Sequence, residues 1–552
     1  MSKAIDTQLK LKEAAERFVK ENPDFIYSQE NHTWYFFNGR SWEEAKPHVE
    51  SLIEEIWEES ELLYDVHLKT LKKLLERKCL NKDGMNIDAD LIINTPTGVL
   101  NLSIFLQSEG SQATGGNVEP HDNYRGKYLT MMTNANYIPG APKPEKFLNF
   151  INNLCNHDPE MMAYLLTLLA YCLTGRTNHY LYLLFGLGRN GKGTLLSFME
   201  ILMGSYFCKI PAIKLSYRTK DSEALREIYK KRYKRLAVID ELSDDFRMNV
   251  ALVKQLTGGD SLDNPYLTAP IGSFRPDFKL LIDTNHLPEV GSTQNVGIWE
   301  RLKVLITRPP IKKEDRIDKF HLILAEEKDA VLTFLLDHYL DNALSDGLKA
   351  IPQRMALALE FKKFQENPVE YFVDKTIQIA PHPISKAQWL GSRYLHGQYH
   401  QFHLNVMNFF QEKLALGSES ESHKLLVMAV SEKAFSLTMG KLGSFKKEVS
   451  GREFWQNLYF HSERVWSNNG AKAAPEWLED KKNKFMNVYS QAFTELRRAE
   501  EMATPFDQAK AMIDMPNHPE KLFEEANPIA DVPDNTAMWA TAILLSQNKT
   551  KE

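Results

Sequence analysis

The chain has 552 residues, and a single hydrophobic core does not extend over that length, so about three or four domains are expected. Hydrophobic residues make up 43% and charged residues 25%, which is typical of globular proteins and excludes a disordered or fibrous chain. The formal charge of −6 excludes a positive field over the whole surface, so a nucleic-acid contact would require a local basic patch.

The cysteines and the N-terminus indicate the compartment. The four cysteines are far apart in the chain, which excludes a zinc ribbon or a disulfide framework and suits a reducing environment. The opening sequence MSKAIDTQLK does not resemble a signal peptide, and the most apolar run, residues 161–174, is too short to span a bilayer. We therefore expect a cytoplasmic protein without a membrane partner.

The N-terminal part has the pattern of an α+β domain. Residues 5–21 and 43–79 have helical periodicity with mixed charges. Residues 25–42 alternate aromatic strands with tight turns, and residues 91–102 predict a second hairpin. Aromatic side chains on such strands either pack a core or stack on bases, and we favour the core. A proline-rich connector at residues 137–144 predicts the end of the domain.

The stretch 181–203 carries the strongest pattern in the chain. A short apolar strand is followed by GLGRNGKGT at residues 186–194 and then by an apolar helix. This is the context of a phosphate-binding loop, in which backbone N–H groups bind phosphate and Lys192 reaches the outer phosphates. Gly193 stands where a magnesium-binding hydroxyl is usual, so Thr194 is the predicted substitute. The predicted nucleotide-binding residues are Gly186, Gly188, Arg189, Asn190, Gly191, Lys192, Gly193 and Thr194.

Two carboxylates follow the next apolar strand, residues 236–239. Asp240 is predicted to hold the Mg²⁺ shell and Glu241 to polarise the attacking water. The basic stretch before this strand, residues 209–235, is either a solvated helix face or a nucleic-acid patch, and the sequence leaves both open.

Three further elements come in a workable order for an ATPase. KQLTGGD at residues 254–260 predicts a glycine turn after a helix, and residues 278–285 predict a strand that ends at Asn285. Asn285 can hydrogen-bond both the γ-phosphate and the lytic water. Arg301 precedes the last strand, where it either forms a surface salt bridge or projects toward the nucleotide of a neighbouring protomer.

In this order, GLGRNGKGT, LAVIDE, KQLTGGD, FKLLIDTN and IWERL resemble the motifs of superfamily 3 helicases. They resemble the phage, plasmid and poxvirus primase–helicase group more closely. The aromatic meander, the turn at residues 98–102 and the connector at 137–144 are similar to the N-terminal region of that group. The resemblance covers roughly residues 25–450, with the specific motifs confined to 186–301.

The resemblance implies an α/β fold with an AAA+-type P-loop core and a parallel sheet, ATP and Mg²⁺ as cofactors, and a hexameric ring that moves along single-stranded or forked DNA. It assigns catalytic roles to Lys192, Asp240, Glu241, Asn285 and Arg301, metal binding to Thr194 and Asp240, and DNA contacts to Lys254, Arg275 and Lys279. Residues 269–273, the expected tip of a DNA-binding hairpin, contain no lysine or histidine. The expected location is the cytosol of a bacterial host.

The N-terminal and C-terminal parts of the sequence suggest a partner and further domains. The first 140 residues carry no primase signature, so a separate primase or polymerase is an expected partner. Three histidines spaced along one predicted helix, His396, His400 and His403, have no carboxylate or cysteine placed to complete a metal site. The predicted division is an α+β domain at 1–144, a helical collar at 145–180, the ATPase core at 181–310, a helical lid at 311–365, a winged-helix-like region at 366–470 and a helical tail at 471–552.

Two alternatives to a replicative helicase remain. The hairpin tip without a basic residue favours an ATP-dependent loader or initiator ring that binds DNA without unwinding it. The loop sequence NGKGT also resembles ATP-dependent amide ligases, but those place the loop near the N-terminus, whereas here Asn285 and Arg301 follow it.

Overall fold

The structure is a computed structural model, and it describes residues 2–60, 62, 64–107, 118–239, 242, 246–265, 273–285, 287–290, 296–342, 348, 350–379, 382, 390–414, 429–449 and 452–460. Contacts divide the chain into two units, one made of Met1–Lys362 with Gln411–Leu425 and the other of Lys363–Phe410 with Leu426–Glu552. The predicted tail at 471–552 and residues 269–272 of the predicted hairpin tip lie outside the described residues.

The first unit begins with the predicted aromatic meander, flanked by helices. Its elements are α1 Ser2–Glu21, β1 Phe25–Ser28, β2 Thr33–Phe37, β3 Trp42–Glu44, α2 Lys46–Glu59, α3 Asp65–Lys78 and β4 Leu80–Asn81. The sheet order is β3-β2-β1-β4, with β4 parallel to β1 and the other pairs antiparallel. Phe25 and Trp34 pack against buried residues of all three helices, so these aromatic strands build a core rather than an exposed stacking surface.

A second group of elements joins this region to the central sheet. It comprises β5 Ile92–Thr95, β6 Gly98–Asn101, α4 Leu102–Gln107, a 3-10 helix at His121–Lys127, α5 Glu145–Leu154 and α6 Pro159–Cys172. β5 and β6 form the predicted hairpin. Ile93 and Leu100 of this hairpin belong to the same hydrophobic core as α5, α6 and the central sheet. The core therefore crosses the predicted domain boundary at residue 144.

The central part is an α/β layer around a parallel sheet. Its elements are β7 Leu181–Phe185, α7 Lys192–Met203, β8 Phe207–Lys209, α8 Asp221–Lys230, β9 Leu236–Ile239, α9 Val250–Gly258, β10 Leu262–Asp263, β11 Ser273–Phe274, β12 Lys279–Thr284, α10 Val296–Trp299 and β13 Leu302–Ile306, with 3-10 turns at Gly204–Tyr206 and Ala212–Leu215. The five strands β13-β7-β12-β9-β8 are hydrogen-bonded in that order, and every pair is parallel. Every residue of β7 and β9 is buried, as expected for strands covered on both faces.

This strand order decides which loops meet. In a parallel sheet the loops after the strands share one edge, where open α/β sheets bind their ligands. β7, which precedes the glycine loop, lies between β12 and β13. The residues that follow β12 and β13 therefore flank that loop, although the three strands are far apart in sequence.

The basic stretch at 209–235 ends inside the protein rather than on an exposed patch. Arg232 lies against the rings of Tyr229 and Tyr233, with its guanidinium carbon 3.9 and 4.4 Å from their centroids, and it binds Glu30 at 2.8 Å. Arg235 is 3% exposed and donates hydrogen bonds to backbone carbonyls, including that of Ala89 at 2.7 Å. These two arginines fasten the N-terminal region to the central sheet, so they are not available to nucleic acid.

The remaining elements are mainly helical. They are a 3-10 turn at Lys313–Asp315, α11 Phe320–Ala325, α12 Lys328–Asn342, α13 Gln353–Glu366, α14 Pro368–Thr376, β14 Ile377–Ile379, β15 Leu390–Gly391, α15 Ser392–Leu414, α16 Glu432–Lys441, β16 Lys446–Val449, β17 Arg452–Trp455 and β18 Leu458–Phe460. In the second unit, β15-β17-β16 form a three-stranded antiparallel sheet and β14 pairs with β18. Whether this unit is a winged helix stays a prediction.

The described residues also bear on the metal and membrane predictions. The Nε2 atoms of His396 and His400 are 3.2 Å apart, and His403 is buried. No group of three or more metal-ligating side chains is found in the described parts of the chain. None of the helices in those parts is both long and apolar enough to cross a membrane.

Candidate nucleotide-binding site

The loop between β7 and α7 has the backbone that its glycines predict. Gly188 and Gly191 have φ of +90° and +103°, a region that favours glycine, and Gly191 is the N-cap residue of α7. Arg189 adopts φ of +52° between them, which is uncommon for a residue with a side chain. A turn that mixes right- and left-handed residues just before a helix directs backbone N–H groups toward one point, and such a concave group of N–H donors binds anions.

A close contact fixes the first turn of the loop. A Cβ at Gly186 would lie 2.1 Å from Asn190 Nδ2 and 2.2 Å from Thr307 Oγ1, so this position accepts only glycine without a shift. Asn190 donates to Thr307 Oγ1 at 2.6 Å, and Thr307 in turn donates to the carbonyl of Phe185 at 3.0 Å. Thr307 was not predicted from the sequence. The available signal was its place directly after β13, next to the glycine loop in the sheet.

Lys192 is the centre of the site. Its side chain is 4% exposed, and Nζ donates to the Gly186 carbonyl at 2.8 Å, to Asn190 Oδ1 at 3.3 Å and to Asn285 Oδ1 at 2.9 Å. Asp283 provides a carboxylate at 3.8 Å. Burial lowers the pKa of Lys192, while Asp283 acts in the opposite direction. The Asp283 carboxylate offsets only part of the cost of burying the Lys192 ammonium. A bound phosphate would add negative charge beside it.

The predicted sensor reaches the loop from the neighbouring strand. Asn285 directly follows β12, whose residues Asp283 and Thr284 pair with Leu184 and Phe185 of β7. The exposed Asn285 side chain therefore lies over the loop, and a Cβ at Gly188 would be only 3.6 Å from its Oδ1. The structure brings Lys192 and Asn285 together as the sequence predicts.

The metal half of the site is described only in part. Thr194 lies half-buried in the first turn of α7, next to the exposed Gly193, around which an added Cβ would meet nothing within 4 Å. Asp240 and Glu241 lie outside the described residues, although β9 ends immediately before them and Ile239 pairs with Ile282. A hydroxyl on the phosphate-binding helix is a donor that Mg²⁺ accepts, so Thr194 fits the predicted ion.

Arg301 lies at the other edge of the sheet. It immediately precedes β13, and its carbonyl accepts a hydrogen bond from Leu181 N, at the start of β7. About five residues of strand, roughly 16 Å, therefore separate its backbone from the glycine loop of the same chain. The Nη1 atom donates to the carbonyl of Gly297 at 2.8 Å, and Nε is buried without a hydrogen-bond partner among the described residues. Arg301 thus does not reach the nucleotide loop of its own chain.

Lys254 lies beside Arg301, and its predicted contact with DNA stays a prediction. A Cβ at Gly297 would lie 3.4 Å from Lys254 Nζ and 3.6 Å from Arg301 Nη1, so both cations approach the same backbone position. The absence of a side chain at Gly297 lets them come together. The Lys254 ammonium and the Arg301 guanidinium repel each other, and a nearby anion reduces that repulsion.

The other two predicted DNA contacts differ in exposure. Arg275 is exposed beside β11, which pairs with β10 to form the base of the expected hairpin. Lys279 is 2% exposed, and its Nζ donates to the carbonyls of Thr174 and Arg176. The prediction that Lys279 contacts DNA is wrong, because its side chain is engaged inside the protein.

A further exposed pair was missed by sequence reasoning. Tyr217 is 52% exposed, and the guanidinium carbon of the exposed Arg218 lies 5.8 Å from its ring centroid. The pair belongs to the loop between β8 and α8, where the hydrogen bond from Tyr217 N to the Arg247 carbonyl holds the backbone. An aromatic ring beside an arginine is a common surface for single-stranded nucleic acid, and this combination was the available signal.

Comparisons with known proteins give one family match and several similar proteins. Residues 15–154 match the family described as "D5 N terminal like". A protein of Acanthamoeba polyphaga mimivirus, named "Putative helicase L207/L206", is 32% identical over 181 residues, which is 32% of this chain and 19% of that protein. A protein of Invertebrate iridescent virus 6, named "Putative helicase 184R", is 25% identical over 344 residues, which is 56% of this chain and 34% of that protein.

The family match is confined to the N-terminal part of the chain, and both viral relatives are named as putative helicases. The chain spans between a fifth and about a third of the length of the two named relatives. Among solved structures, "The A form apo structure of NrS-1 C terminal region-CTR" overlaps 78% of this chain and 95% of that chain at 11% identity, with a TM-score of 0.37. An overlap as loose as this does not establish a common fold.

Proposed function

We propose that this chain is the ATPase of a ring-forming replicative DNA helicase of a phage, virus or other mobile element. The observation that carries the proposal is the separation of Lys192 and Asn285, at one edge of the sheet, from Arg301 at the other. An arginine near the transferred phosphate raises the rate of NTP hydrolysis by about 10³- to 10⁵-fold in enzymes that use one. In a head-to-tail ring, the arginine edge of one subunit faces the nucleotide edge of the next.

Within one subunit, the glycine loop and Lys192 bind the phosphates of ATP. Thr194 and Asp240 would hold a Mg²⁺ ion, which would supply positive charge to the phosphates. Glu241 accepts a proton from the attacking water, and Asn285 orients that water while contacting the γ-phosphate. When ATP enters, Lys192 exchanges its bond to Asn285 for a phosphate oxygen, which frees the amide for this role.

From the neighbouring subunit, Arg301 supplies positive charge to the transition state. Lys254 acts beside it on the same phosphate group, because both side chains converge on Gly297. This role replaces the DNA contact that the sequence suggested for Lys254. Contacts with single-stranded DNA are made by Tyr217 and Arg218, with Arg275 at the base of the hairpin.

The proposal is tested by measuring ATP hydrolysis with and without single-stranded DNA, and strand displacement on a forked duplex, in the presence of Mg²⁺. We expect DNA to stimulate hydrolysis and ATP to drive displacement. Lys192→Ala, which lacks the phosphate-binding ammonium, is the inactive control. A wild-type protein that hydrolyses no ATP, or hydrolyses it at a rate that DNA does not change, would refute the proposal.

A loader or initiator ring is the second candidate, and it rests on the hairpin sequence without lysine or histidine at its expected tip. Such a ring would also bind DNA and hydrolyse ATP. It would displace no strand under any condition in which hydrolysis is stimulated. The forked-duplex measurement therefore separates the two candidates.

A further inference from the structure

The outer face of α3 carries a row of exposed cations far along the chain from the nucleotide site. Lys69, Lys73 and Arg77 are exposed and follow one another at four-residue spacing, which places them on one face of the helix about 6 Å apart. Thr70 shares this face. A shallow groove between α1 and α3 runs beside the row and is lined by Gln8, Leu11, Thr70, Lys73, Leu74 and Arg77.

The row differs from several basic side chains of the same region because its cations have no carboxylate partner in the part of the chain that the structure describes. Arg17 pairs with Glu21 and Glu59, Lys72 pairs with Glu54, and Lys127 pairs with Asp88. Within the described residues, none of the three cations of the row has a carboxylate within ion-pair distance. Glu76, which lies between Lys73 and Arg77 in sequence, is close to Tyr27 instead. Burial, with a smaller contribution from the Glu76 carboxylate, raises the pKa of Tyr27.

The chemistry of the row fits a phosphate backbone. Three cations at regular spacing on a rigid helix match successive phosphates along a nucleic-acid strand, and the amide N–H groups of Gln8 add hydrogen-bond donors. The exposed face of α3 carries no aromatic side chain on which bases could stack. Tyr64, which precedes the helix rather than lying in the row, is exposed, and its ring packs edge-on against His67. Charge without stacking favours a duplex, whose phosphates face outward and whose bases are hidden.

We propose that Lys69, Lys73 and Arg77 form a contact surface for the phosphate backbone of duplex DNA, separate from the ATPase site. This surface rests on the proposed function, because a forked substrate carries the duplex that it would hold. Contacts of this kind carry no sequence information and depend strongly on salt.

The test measures the equilibrium affinity of the full chain, without nucleotide, for a fluorescent duplex and for a single strand at several salt concentrations. The variant is the triple substitution Lys69→Gln, Lys73→Gln, Arg77→Gln. The matched control is Arg17→Gln, Lys20→Gln, Lys127→Gln, which removes the same charge elsewhere in the same region. We expect the variant to bind duplex about tenfold more weakly at low salt and to flatten the salt dependence by a slope of about 2 to 3.

ATP hydrolysis without DNA serves as an independent measure of the proposed function, and the three substitutions should leave it unchanged. The single reversal Lys73→Glu provides a milder variant should the triple substitution disturb folding. The proposal is overturned if wild-type protein binds no duplex or if the variant binds duplex with wild-type affinity. It is also overturned if the control loses as much duplex affinity as the variant, or if the variant loses affinity for the single strand alone. An enzyme without ATPase activity that still shows the variant-specific loss would refute the helicase function and leave the surface in place.

Discussion

The two edges of the parallel sheet carry different halves of one chemistry. At the carboxyl edge, Lys192 is buried among oxygen atoms from the glycine loop and from Asn285. At the amino edge, Arg301 and Lys254 converge on Gly297, and Arg301 Nε lacks a partner among the described residues. In the proposed function, the first edge binds the phosphates of ATP, and the two cations of the second edge act on the phosphate held by a neighbouring subunit. One chain therefore holds both groups of residues but cannot bring them together.

The largest expected effect comes from removing the charge at the amino edge. Arg301→Ala should lower ATP hydrolysis by about 10³-fold or more, because the transition-state charge loses its partner. ATP affinity should change little, since Arg301 lies outside the site of its own chain. Arg301→Lys keeps the positive charge but loses the bidentate hydrogen bonding of the guanidinium, so its rate of ATP hydrolysis should lie between those of wild type and Arg301→Ala. Steady-state hydrolysis and ATP titrations check this. Loss of ATP affinity equal to that of Lys192→Ala would place Arg301 in its own site.

An intermediate effect is expected at the carboxyl edge from two glycines of the same loop. Gly186→Ala forces its Cβ against Asn190 and Thr307, so it should weaken ATP binding at least tenfold and lower the free energy of unfolding by about 1–3 kcal/mol. Gly193→Ala has open space around its Cβ and lies in α7, so stability should be unchanged or higher by up to about 1 kcal/mol. Thermal melts and nucleotide titrations of the two variants provide the check. Equal effects would mean that the contact at Gly186 does not shape the loop.

The smallest effect separates the structural cation of the amino edge from the catalytic ones. Lys279 begins β12 at that edge, but its pKa is lowered by burial to about 7 from its ordinary value of 10.5. Above pH 7 the unfolded chain therefore holds a proton that the folded chain has released, so this lysine makes stability rise with pH between 7 and 10.5.

Lys279→Met should remove that rise and leave DNA affinity within about twofold of wild type. Unfolding by denaturant at pH 7 and pH 9 measures the first part, and DNA titration measures the second. Arg275→Ala is the comparison, because the exposed Arg275 should weaken DNA binding without changing the pH profile. A large loss of DNA affinity in Lys279→Met would restore the role that the sequence suggested.

The sequence predicted the elements well where one physical cause dominates. The apolar run before GLGRNGKGT indicated a buried strand, and the glycines indicated positive φ, because both depend on residues close together in the chain. The pairing of Lys192 with Asn285 also followed from the motifs. The order of motifs resembled a known family, and parallel strands place their following loops at one edge.

The sequence failed where a residue's role depends on what is packed around it. Lys279 and Arg235 look like DNA-binding cations in a basic context, but both are buried and bound to backbone carbonyls. The residues on either side of Lys279 and Arg235 in the sequence do not indicate that these side chains are buried. Thr307 escaped notice because threonine after a strand is ordinary, and only the alignment of β13 beside β7 places it against Asn190.

The central claim is that Arg301 of one subunit completes the site of the next. The most direct test mixes Lys192→Ala protein with Arg301→Ala protein, each inactive alone, and measures ATP hydrolysis of the mixture. Random assembly pairs an intact Lys192 edge with an intact Arg301 edge at about a quarter of the interfaces, so the mixture should recover a measurable part of wild-type activity. Mixing Lys192→Ala with Asn285→Ala, both changed at the carboxyl edge, should recover none. Absence of recovery in the first mixture, with subunit exchange verified, would contradict a site shared between subunits.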